Sequence, residues 1–89
     1  MAHKAQAQLT QELDDAAAVI SVGARYAHYK HPDKLYTVIG LAVLEASDEP
    51  CVIYKAQYGD NIVFVRPATS WLQEVMSHGQ QVKRFTKVS

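Results

Sequence analysis

The sequence predicts a mainly β fold: a small SH3-like β-barrel of five or six strands with an N-terminal α-helix. Three observations carry that expectation. Helical periodicity is confined to one segment, residues 9–22. Beyond it the chain reads as short alternating or β-branched runs cut by turn chemistry. One long run, "LYTVIGLAVLEA", carries Gly40 near its middle, and a glycine inside a strand marks a bulge or bend. A sheet this small, apolar on both strand faces, is expected to close or nearly close on itself. The competing reading makes residues 69–77 a helix with Ser70 and Gln73 as a capping box, giving α+β with a four-stranded antiparallel sheet.

Residues 1–8 are small and polar and are expected to be disordered. In the helix 9–22, Leu9, Leu13, Ala16, Ala17 and Ile20 recur at steps of three and four. Thr10 suits the N-cap, Glu12, Asp14 and Asp15 suit the first turn, and Gly23 suits the C-terminus. The alanine-rich stripe needs a partner surface, either the barrel or a second copy of the chain. Residues 24–88 are assigned to the barrel. "RYAHYK" alternates, with Tyr26, His28 and Lys30 on one face, and "HPDK" is turn chemistry. "CVIYKAQY" follows the turn "SDEP", and "IVFVRP" follows "YGDN" and ends at Pro67. "PATS" suits a single helical turn. "WLQEVM" and "QVKRFTKV" flank "SHGQ" as a last hairpin, with Lys83 and Lys87 guarding an edge.

A chain of 89 residues is a single domain able to bury one core. Nine basic residues balance nine acidic ones, so any attraction to nucleic acid or an anionic membrane has to come from a local patch. The single cysteine, Cys51, excludes an internal disulfide and fits a reducing compartment. "MAHKAQAQLTQELDD" has no apolar run of a secretory signal, and no segment approaches the roughly 20 apolar residues of a membrane span. A cytoplasmic location without membrane partners is the expectation.

Five stretches in order, "YAHYK" (26–30), "YTVIG" (36–40), "VIYKAQYGD" (52–60), "FVRP" (64–67) and "GQQVKRF" (79–85), make the chain over residues 23–87 resemble domain-of-unknown-function family 1653, a set of small bacterial and phage proteins. The chain departs from the family pattern at "LEASDEP", at Phe64 where tryptophan is usual, and at Ser70 and Trp71 where methionine and phenylalanine are frequent. The resemblance implies a compact β-rich domain and no assigned activity.

The candidate ligand-binding residues are His28, Lys30, Tyr54, Tyr58, Asp60 and Arg66. Aromatic faces interleaved with cations suit stacking on a base and holding a phosphate. The expected function is a non-enzymatic binding module whose ligand is a nucleotide, a nucleic-acid segment or a peptide. The alternatives are a homodimeric interaction protein, joined through the helix or an edge strand, and a small hydrolase or redox protein using Cys51. His28 and His31 lie three apart, on opposite faces of a continuous strand, so no metal site is expected, and no cofactor signature is present. His28 with Asp60 is the weaker catalytic pairing, without a nucleophile elbow or phosphate loop to support it. Trp71 is expected in the core.

Overall fold

A computed structural model describes residues 3–89. It contains α1 (Gln6–Val19), β1 (Arg25–His28), β2 (His31–Leu44), β3 (Glu49–Ala56), β4 (Val63–Pro67), α2 (Ala68–Trp71), β5 (Glu74–Ser77), β6 (Gln80–Lys83) and β7 (Phe85–Lys87). Five strands form one antiparallel sheet in the order β4-β3-β2-β1-β7, and β5 and β6 form a separate two-stranded sheet. The fold is mainly β, but the SH3-like barrel is not formed: β4 and β7 remain opposite edges of an open sheet. Pro67 ends β4 and turns the chain into α2, so that strand does not run on to meet β7. The α+β alternative fails as well, because residues 68–77 split into one helical turn and a strand.

One face of the sheet is covered by helices rather than by its own curl. Tyr36 and Val38 of β2 and Val52, Tyr54 and Ala56 of β3 are buried beneath Ala16 and Ile20 from the helix side, and Trp71 and Phe85 complete the cluster. Val38 and Val52 are fully enclosed, and Trp71 is a core residue at 2% exposure. The Gly40 region does hold a bulge: the β2–β3 register shifts between Val38 and Gly40. The extra residue is Ile39, which points to solvent and leaves Val38 and Leu41 both toward the core.

The helix is displaced toward the N-terminus from its expected bounds. It starts at Gln6 with no side-chain cap, so Thr10 lies inside it, and Ile20 leaves it in an extended conformation. A tertiary contact replaces the missing cap. The Lys4 backbone N–H donates to Asp48 at 2.7 Å, His3 pairs with the same carboxylate at 2.6 Å, and Lys4 Nζ pairs with Glu12 at 3.0 Å. Residues 3–8, expected to be disordered, thus carry contacts and the first helical positions; residues 1–2 lie outside the described residues.

Candidate functional site

The β1–β2 hairpin turns at Tyr29 and Lys30, earlier than the expected "HPDK" turn, and sets His28 opposite His31. Their rings lie 6.5 Å apart and roughly parallel. A continuous strand would have sent these side chains to opposite faces; the tight turn brings them side by side. Across the sheet, Val52 pairs with Arg66 and Tyr54 with Phe64. Directly opposed residues of an antiparallel pair share a face. Arg66 and Phe64 therefore project from edge strand β4 onto the core side of the sheet.

These placements surround an open cavity of about 250 Å³, lined by His28, Lys30, His31, Tyr36, Tyr54, Phe64, Arg66 and Phe85. Arg66 is fixed in it from three directions. Nη1 donates to Ser70 Oγ at 3.0 Å, Nε donates to the Tyr54 hydroxyl at 3.4 Å, and the guanidinium lies over the Phe85 ring at 5.4 Å. Phe85 in turn stacks on Trp71, with centroids 3.7 Å apart and planes 5° from parallel.

Among the described residues no carboxylate lines this cavity. Among the described residues the ion pairs are His3–Asp48 and Lys4–Glu12, both at the N-terminus, so the cations of the cavity have no acidic partner. His28 registers the excess. Burial, then the charges of Arg66, Arg84, His31 and Lys30, hold its imidazole below the ordinary value of 6.5. Its Nδ1 accepts the Lys30 backbone N–H at 3.2 Å, which places the ring hydrogen on Nε2 in the neutral form.

Four of the six candidate residues therefore converge: His28, Lys30, Tyr54 and Arg66. Tyr58 stands behind the cavity, its hydroxyl 2.6 Å from that of Tyr36, and burial with this hydrogen bond pushes the Tyr36 phenol up to about 12. Asp60 is exposed in the β3–β4 connection and does not line the cavity. His31, Tyr36, Phe64 and Phe85 were not anticipated. Phe64 was legible, since it lies two residues before Arg66 on the same strand face. Cys51 is buried, and burial followed by the charge of Glu49 raises its thiol, the opposite of what a nucleophile needs. Among the described residues no three His, Cys, Asp or Glu side chains gather in metal-ligating geometry. No described helix is long and apolar enough to cross a membrane.

Residues 24–87 match the family described as "Protein of unknown function (DUF1653)". The crystal structure of a DUF1653 protein from Bordetella bronchiseptica superposes with a TM-score of 0.69 at 27% identity, covering 80% of this chain and 90% of that one. No curated protein matches the chain.

Proposed function

The chain belongs to the DUF1653 family, and from that premise and the site geometry we propose that it is a binding module holding the anionic group of its ligand at Arg66. One observation carries the reading: Arg66, Lys30, His28 and His31 converge on one aromatic-walled cavity that no carboxylate lines among the described residues. A guanidinium already steadied by a hydroxyl and a ring is preorganised for a phosphate or carboxylate. Phe64, still 39% exposed, offers a surface for a planar or apolar part of the same ligand. The ligand classes that combine these features are a nucleotide, a nucleic-acid segment and an acidic peptide. At about 250 Å³ the cavity is smaller than the 300–1,000 Å³ typical of sites that engulf a small molecule. It suits one charged group of a ligand whose remainder lies across the surface. Among the described residues no carboxylate lines the cavity to orient His28 as a base, and the cations around it support anion recognition.

A thermal-shift panel of nucleotides, short single-stranded DNA and RNA, and acidic peptides tests this on wild type and Arg66→Ala. A ligand at a hundredfold excess over its Kd stabilises the fold by about 2.7 kcal/mol, a rise on the order of 10 °C for a domain this small. The expected result is a shift with an anionic ligand that Arg66→Ala removes while its own unliganded melt stays cooperative. A shift of equal size in Arg66→Ala contradicts the reading.

A further inference from the structure

Strand β4 is an edge, hydrogen-bonded among the described strands to β3 alone. Its approach and body are apolar and uncovered: Ile62 is 54% exposed, Val63 51%, Phe64 39% and Val65 60%. Proteins usually blunt such edges with short strands or lysines. The opposite edge follows that rule, since β7 has three residues and carries Lys87. On β4 such devices, Arg66 and Pro67, stand only at its C-terminal end, and Val63, Phe64 and Val65 are left unguarded.

The direction of its free backbone groups follows from the ladder. Ala56 N–H donates to the Ile62 carbonyl at 2.9 Å, so that pair is a hydrogen-bonded one. Hydrogen-bonded and non-hydrogen-bonded pairs alternate in an antiparallel ladder. Phe64 and Arg66 therefore turn their N–H and C=O toward β3, while Val63 and Val65 turn theirs outward. Pro67 follows in the outward phase, so the missing N–H falls on the open side and bounds the template.

We infer that the free edge of β4 accepts an extended acidic peptide as an added antiparallel strand, a carboxylate of that peptide reaching Arg66. The inference rests on the reading of the Arg66 cavity as an anion site and selects the peptide among its ligand classes. A segment bonded to Val63 and Val65 places the residue opposite Arg66 on the core side, beside the cavity with its unpaired cations. The residue opposite Phe64 shares that side. Those opposite Val63 and Val65 share the outer face. Read along the antiparallel partner, the pattern is an acidic residue followed by three apolar ones. A second copy of this chain fits less well. Pairing β4 with itself about Phe64 sets Arg66 against Ile62, and pairing about Val65 sets it against Phe64, so neither supplies an acid.

The probe is a synthetic peptide with one acidic and three apolar residues in that order, and a control with the acid replaced by its amide. Fluorescence anisotropy is expected to give saturable binding by wild type, roughly tenfold weaker binding of the control, and similar weakening in Arg66→Gln. Val65→Pro removes an outward N–H while leaving the β3 ladder bonds in place, and is expected to abolish peptide binding but not inorganic phosphate binding. Amide exchange gives a readout on the unmutated chain: peptide slows exchange at Val63 and Val65, whereas Phe64 and Arg66 are protected already. Peptide binding with no added protection at Val63 and Val65, or no peptide binding by wild type, overturns strand addition. So does binding of single-stranded nucleic acid in preference to the peptide, or protection of those amides in a chain that doubles its mass with concentration. Inorganic phosphate binding lost in Arg66→Gln sustains the anion cavity in each of those cases, and its retention overturns the cavity itself.

Discussion

His28 lies where burial and four neighbouring cationic groups act in the same direction, all against the imidazolium. A histidine lowered from 6.5 in the folded chain binds its proton more readily when unfolded. Its contribution to stability is therefore present above 6.5 and lost as pH falls through the folded value. An anion at Arg66 opposes that trend. The imidazole of the free chain is expected to titrate below 6.5 by NMR and to move upward on saturation with phosphate; a midpoint above 6.5 in the free chain contradicts the electrostatic picture. Asp48 is lowered too, and so runs in the same pH direction, but here the fold favours the charged form. The Lys4 N–H, then His3, hold its carboxyl below 3.8, so the stability it lends the N-terminus is present above that value and lost as pH falls through the folded one. Asp48→Asn preserves the tolerance for φ of +59° and removes the charge. It is expected to melt below wild type at pH 7, with the gap closing in acid as the wild-type carboxyl protonates.

Among the elements, the β5–β6 hairpin shows how directly a turn can be read. "SHGQ" becomes a two-residue loop with His78 at φ +50° and Gly79 at φ +75°, the pair of left-handed residues that a type I′ turn requires. Gly79→Ala is expected to cost about 1 kcal/mol, a Tm loss of several degrees by calorimetry. Gly40 behaves otherwise. It has no positive φ and open space where a Cβ would stand, and the bulge residue is Ile39, so Gly40→Ala is expected to raise Tm by a few degrees. The strand pattern and the single helical turn at "PATS" were legible because both rest on local chemistry. The first hairpin was not. Tyr29 and Lys30 carry no turn signal, whereas the turn chemistry lies in "HPDK", where Pro32, Asp33 and Lys34 follow the paired His31. The ladder instead jumps from Ala27↔Leu35 to His28↔His31, leaving those three residues without partners inside β2. The α1 bounds were also beyond local reading, since a carboxylate 44 residues away from Lys4 anchors its start.

At the scale of the whole molecule, closure of the sheet was the least legible feature. Alternation states which residues face inward but not what covers them, and here α1, Trp71 and Phe85 take the place of further strand pairing. Phe85 lines two openings at once. It walls the Arg66 cavity on one side and, with Trp71 and Tyr26, a second opening of about 440 Å³ on the other. Phe85→Ala is expected to cost about 3–5 kcal/mol, a large share of the 5–15 kcal/mol available to a typical domain. Urea unfolding of that variant is expected to shift to a much lower midpoint, whereas Phe85→Leu retains a cooperative transition. The same stack makes the site observable, because Trp71 is the chain's single tryptophan and touches the ring beneath Arg66. The decisive measurement is a titration of Trp71 fluorescence with the acidic peptide in wild type and Arg66→Gln. The account predicts a saturable change in wild type that weakens with added salt and is at least roughly tenfold weaker in the variant. Superimposable titrations of the two chains contradict it.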